Sequence, residues 1–172
     1  MLVRVRRRLF CPATLNGLMK LLNFRIDHNN LEAGGQVFDL HNHFTLQGYA
    51  YDTGNRVFEL KFRGQTYHGS TPVGTQVTTD LRFTFRNVSR LHVQDLPFDQ
   101  TNVCFLTMEH VSEMAVPPRL VEWLEEESVG SEGEAPLDRS ACMYIDFIWG
   151  VEILIAAETV EATFQQAAVP AG

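Results

Sequence analysis

VTTDLRFTFRNVSRLHVQDL, residues 77–96, alternates apolar and polar side chains with a period of two. Leu81, Phe83 and Phe85 fall on one side of an extended chain and Arg82, Thr84 and Arg86 on the other, so the segment predicts a strand with one buried and one wet face. Asn87 and Ser89 interrupt the pattern. It resumes with Leu91, Val93 and Leu96 against Arg90, His92, Gln94 and Asp95, which predicts the returning arm of an antiparallel hairpin. A two-stranded ribbon needs a second apolar layer.

The flanking chain supplies that layer. VFDLHNHFTLQGYAY (37–51) predicts a strand that changes phase near Gly48, and RVFELKF (56–62) a second one. DTGN (52–55) is a turn signal that joins them into a hairpin. NVCFLTM (102–108) predicts a further strand. CMYIDFIWGVEILIAA (142–157) is too long for one strand and is expected to bend or break at Gly150, while ETVEATF (158–164) predicts the last, with Val160, Ala162 and Phe164 inward. NNLEAGG (29–35) and GQTYHGSTPVGTQ (64–76) read as loops. Thr14 is placed to cap a short helix carrying Leu15, Leu18, Met19 and Leu22 on one face. Pro118 opens a second, with Leu120, Val121, Trp123 and Leu124 as its apolar stripe.

These elements predict a mainly β chain, a single antiparallel sandwich or partly open barrel with one or two short helices. Residues 1–28 form a basic tail and short helix. Residues 29–165 form one β-rich domain with an acidic helical insert at 109–138, and residues 166–172 a disordered tail.

Charge divides the 172-residue chain. Lysine and arginine total 14 against 21 aspartates and glutamates; Arg4, Arg6, Arg7 and Arg8 lie in the first ten residues, which leaves ten bases facing 21 acids beyond them. Residues 109–138 hold nine carboxylates and one base, Arg119. An acidic body is repelled by phosphate backbones, which argues against nucleic acid and for a basic protein partner. Glu125, Glu126 and Glu127 at the end of the second helix oppose its dipole. They are candidate partner-binding residues together with Glu122 and Trp123. Open sheet edges make a homo-oligomer a further expectation.

Cys11, Cys104 and Cys142 are odd in number, with no Cys-x-x-Cys spacing, and signal neither a disulfide framework nor a zinc ribbon. Cys104 and Cys142 read as buried reduced thiols, which fits a cytoplasmic location. The opening residues lack a signal-peptide core and cleavage site, and Asp146 and Glu152 interrupt the long apolar run, so no membrane association is expected.

Asp39, His41 and His43 are the candidate metal ligands. On a strand, residues i, i+2 and i+4 project from one face, where a carboxylate and two imidazoles suit zinc, iron or manganese. No cofactor other than such a divalent metal is signalled. The triad defines an alternative reading, a small metal-dependent enzyme or metal-binding β-barrel. No G-x-S-x-G elbow or catalytic-cysteine signature occurs, and the glycines at 64 and 69 lack the lysine of a phosphate loop. Asp52 and Glu59 are carboxylates suited to acid–base work only if the fold brings them together.

The order of HNHFTLQGYAYD, RVFELKF, LRFTFRNVSRLHVQDL and WGVEILIAAETVEATF, spanning Phe38 to Phe164, resembles that of small β-rich immunity proteins of bacterial polymorphic-toxin systems. The resemblance implies a non-catalytic binder that neutralises a toxin made by the same cell; the acidic charge makes a basic toxin the expected partner of a cytoplasmic protein-binding domain. The basic N-terminus and the acidic insert depart from that pattern, and no site residues carry over.

Overall fold

The computed structural model describes residues 18–66, 77–93, 103–110, 139–147 and 151–166. Twelve strands account for most of them: β1 Lys20–Leu21, β2 Arg25–Asp27, β3 Asn30–Ala33, β4 Gln36–Asp39, β5 Phe44–Asp52, β6 Val57–Thr66, β7 Val77–Arg86, β8 Arg90–Val93, β9 Val103–His110, β10 Cys142–Phe147, β11 Val151–Ala156 and β12 Thr159–Gln166. Helical structure among the described residues is limited to one turn, α1 Leu40–His43, and a 3-10 turn at Arg139–Ala141. The chain is mainly β, as the alternation predicts.

Five strands in the order β1-β12-β7-β6-β5 form one layer and four in the order β9-β10-β11-β8 the other. Among the described residues the layers meet edge to edge where Thr45 and Leu46 of β5 pair with Cys104 and Val103 of β9. Elsewhere they stack as a sandwich. Phe58, Leu60 and Phe62 of β6, Leu81, Phe83 and Phe85 of β7, and Val160 and Ala162 of β12 face Met143, Ile145 and Phe147 of β10 and Ile153 and Ile155 of β11 in one buried cluster. The Phe62 and Phe147 rings stack across the interlayer space at 6.1 Å. Each such side chain contributes about 1.5–3 kcal/mol when fully removed from water. The three-stranded meander β2-β3-β4 places Leu31 in the same cluster.

Several expectations are corrected. β7 and β8 are both strands, but they do not pair with each other. β7 lies between β6 and β12, and β8 pairs with β11 in the opposite layer. Residues 87–89 are therefore a crossing between layers rather than a hairpin turn; Val88 is buried there and its N–H donates to the Arg56 carbonyl at 3.0 Å. Residues 29–35 are not one loop: Asn30–Ala33 form β3 with Leu31 fully buried, and Gly34 and Gly35 take the positive φ of a tight turn between β3 and β4. The N-terminal helix does not extend over residues 18–22. Leu18 and Leu22 are exposed, Met19 is buried, and Lys20–Leu21 pairs in parallel with Thr159 and Val160 of β12.

Other readings hold. β5 and β6 form the expected hairpin, with a bulge between Leu46 and Gly48. The long aromatic run breaks between Phe147 and Val151 into the antiparallel pair β10–β11. The loop expected from Gly64 starts later, since β6 extends to Thr66 in register with β7, and Gly64 lies against the Phe44 ring. A Cβ there would sit 2.5 Å from that ring and 2.8 Å from the His43 carbonyl oxygen. Gly64→Ala is expected to destabilise the fold by about 1–3 kcal/mol through overpacking against backbone that has no room to yield. Denaturant unfolding of the two proteins measures it, and an unchanged midpoint would contradict the packing described.

Candidate functional site

The stretch DLHNH folds as a capped helical turn, not as a strand. Asp39 keeps extended backbone angles at the N-cap, and its carboxylate accepts from the Asn42 N–H at 3.1 Å and from Asn42 Nδ2 at 2.6 Å. This arrangement satisfies orphan donors of the turn and drives Leu40 into the core, where it is buried. In a helical turn, residues two apart point to different sides. His41 is thereby turned away from the side on which Asp39 and His43, four residues apart, remain neighbours, so the three do not converge as the strand reading expects. Among the described residues no group of three His, Cys, Asp or Glu side chains is placed to hold a metal ion. Partial burial pushes the Asp39 carboxyl up, but the Asn42 hydrogen bonds, the neighbouring His43 and the His41 N–H outweigh it and hold the group below its ordinary range.

Asp52 and Glu59, in contrast, come to one place. They line an open depression of about 560 Å³ on the outer face of β5–β6–β7, with Ala50, Asn55, Val57, Arg86 and Asn87. Asp52 is committed to the hairpin turn: Oδ1 accepts from the N–H groups of Gly54 and Asn55 at 3.0 and 3.1 Å, and Oδ2 from Asn55 Nδ2 at 2.7 Å. The Asn55 side-chain bond is the main reason its carboxyl lies below the ordinary value of 3.8. Glu59 faces Arg82 and Lys61, each at 3.6 Å. These are long, solvent-screened pairs of small energetic weight.

The depression adjoins the corner where the chain changes layers. Arg56 and Asn87 both adopt positive φ, 56° and 54°. The Arg56 guanidinium donates to the carbonyls of Val88 and Asn87 at 3.0 and 3.2 Å, and Asn87 Nδ2 donates to Glu158 Oε2 at 2.6 Å. A second pairing that the sequence reading misses uses Asn23, whose carboxamide donates to the Ala162 carbonyl at 2.6 Å and accepts its N–H at 2.9 Å. The side chain thus continues the edge of β12 where β1 ends.

A buried polar pair lies on β10 and β11. Tyr144 donates its hydroxyl to Glu152 Oε1 at 2.6 Å, and both residues are buried. They are diagonal neighbours across the two strands, since Tyr144 is in register with Leu154. Their signal in the sequence is Glu152, one of two carboxylates inside the apolar run 142–157, since a carboxylate buried there needs a donor. Cys142, beside them on β10, is also buried. The expected partner-binding residues Glu122, Trp123, Glu125, Glu126 and Glu127 lie outside the described residues.

Two outcomes test these arrangements. Tyr144→Phe is expected to lower stability by about 1–3 kcal/mol, because it takes a donor from a buried carboxyl oxygen; chemical denaturation reads the change. For Asp52, a native pKa below the unfolded value contributes stability that is present above that value and is lost as pH falls through the lowered one. Asp52→Ala should therefore be less stable than the wild type at neutral pH and lose less between neutral pH and the acid range. Parallel melting curves at the two extremes would contradict this. Comparison of the chain with protein-family models, with curated proteins and with solved structures returned no match.

Proposed function

We propose that the protein is a non-catalytic protein-binding domain, and more narrowly a cytoplasmic immunity-type inhibitor whose acidic segment engages a basic toxin. The observation that carries this reading is where the acid-rich segment is attached. The chain leaves the sheet after His110 at the end of β9 and is next described at Arg139, just before β10; His110 and Met143 are register partners on these neighbouring strands. Eight of the 21 acidic residues, with Arg119 as the one base, fall between these anchor points. The segment is therefore an excursion from a hairpin, and both its ends are fixed by a sheet that buries apolar side chains.

A concentrated negative charge on a fixed frame suits rapid, salt-sensitive capture of a cationic protein. Enzymes that act on nucleic acid must carry positive charge to hold phosphate, so such a toxin presents a matching surface. Among the described residues no helix is long and apolar enough to cross a membrane.

The test is quantitative binding of the basic partner recovered and identified from the host, using the wild type and a Glu122→Gln, Glu125→Gln, Glu126→Gln, Glu127→Gln variant. Affinity is expected to fall by at least about tenfold on neutralisation and to decline with added salt, mainly through a slower on-rate. Binding that is indifferent to both changes would overturn the reading.

A further inference from the structure

We infer that the outer face of β10 and β11 is the seat of residues 118–128, docked through the apolar stripe Leu120, Val121, Trp123 and Leu124 with Glu122, Glu125 and Glu126 left facing solvent. Strand alternation puts Met143, Ile145, Ile153 and Ile155 on the inner side of these strands, in the interlayer cluster. Cys142, Tyr144, Leu154 and Ala156 therefore point the other way, where an uncovered sheet face would meet water. They are at most 2 % exposed. Among the described residues, the buried apolar side chains outside the interlayer cluster are these four and the adjoining Ala141. The described core thus lies on the other side of the sheet, and the cover of this face is drawn from the rest of the chain.

Attachment, reach and chemistry choose the segment. His110 is opposite Met143 and Arg139 shortly precedes β10, so residues 111–138 leave and rejoin the layer at the end marked by Cys142 and its register partner Ala156. Residues 94–102 connect Val93 to Val103 at the opposite end, and residues 67–76 join β6 to β7 in the other layer. A helix over 118–128 is about 16 Å long, and the flanks 111–117 and 129–138 can span up to about 23 and 33 Å, more than the ~14 Å width of four strands. At about 100° per residue, Leu120, Val121, Trp123 and Leu124 fall on one side of such a helix and Glu122, Glu125 and Glu126 on the other. The apolar side matches Tyr144, Leu154 and Ala156. Arg90 and His92, in register with Ala156 and Leu154, set a cation and an imidazole along the rim of the face, while its own carboxylates, Asp146 and Glu152, form the row farthest from the attachment points. Eight carboxylates between 111 and 138 complement that rim. Residues 1–17 join the same end, where the Met19 N–H donates to the Ser140 carbonyl at 3.1 Å, but they bring four arginines and no acid. Seated this way, Trp123 is an anchor and the three glutamates carry the contacts of the acidic segment. The inference concerns how that segment is held and stands whether or not its partner is a toxin.

The experiment follows the reaction of Cys142 with a thiol-specific reagent in the full chain carrying Cys11→Ser and Cys104→Ser. Labelling is expected to be slow. It should become at least about tenfold faster when Trp123→Ser and Leu124→Ser are added, because losing two large apolar contacts raises the open fraction by that factor or more. Leu9→Ser with Phe10→Ser should leave the slow rate unchanged. So should Glu122→Gln with Glu125→Gln and Glu126→Gln, which lets this inference and the binding reading fail separately. Amide exchange across β6 and β7 reports whether the sandwich stays intact. With the stripe unaltered and Trp149→Phe, acrylamide should quench Trp123 several-fold less than in denaturant, and this measurement decides if the stripe variant unfolds. Four results would each overturn the inference: an unchanged Cys142 rate in the stripe variant, exposure of Cys142 by the Leu9→Ser, Phe10→Ser variant, slow labelling that is lost on dilution of the protein, or a Trp123 quenched as freely as in the denatured chain.

Discussion

The sandwich depends on two adjacent crossings between layers. At residues 87–89 the chain leaves the five-stranded layer for β8, and at Ala157 and Glu158 it returns from β11 to β12. Each crossing strips backbone groups of their ladder partners, and the other restores them. Ser89 N–H donates to the Ala156 carbonyl at 2.9 Å, Glu158 N–H to Arg86 at 3.2 Å, and Lys20 N–H to the Glu158 carbonyl at 3.0 Å. Arg56 closes the corner from the β5–β6 turn through the Val88 and Asn87 carbonyls. Buried main-chain groups without partners cost more than most side-chain contacts return, so this mutual satisfaction is a condition for stacking the layers at all.

The same corner explains the polar character of its surroundings. Positive φ at Arg56 and Asn87 is tolerated because each side chain is then aimed at a carbonyl or carboxylate that needs a donor. The groups around the depression are in large part committed to holding the corner and the hairpin turn.

Alternation in the sequence identifies the inward faces of β6, β7 and β12 because a strand's burial pattern is local: Phe58, Leu60 and Phe62, or Leu81, Phe83 and Phe85, need no knowledge of their neighbours. Pairing partners are not local, and residues 77–96 show the difference. NVS reads as a turn, yet Val88 is buried, and an apolar residue at the middle of an apparent turn is the mark of a crossing into the core. The candidate metal triad fails for a related reason. Period two holds only while the chain is extended, and the Asp39–Asn42 cap, itself written as D-x-x-N, ends that condition one residue before His41 counts. Glu152 and Asn23 act through partners that sequence spacing does not reveal, eight and 139 residues away.

β9 and β10 hold the two ends of residues 111–138 side by side, with His110 opposite Met143. Closing a longer loop costs little, about 0.6 kcal/mol for each doubling of length. The eight carboxylates of that excursion are thereby delivered at one point of the sandwich, between two strands that are held side by side.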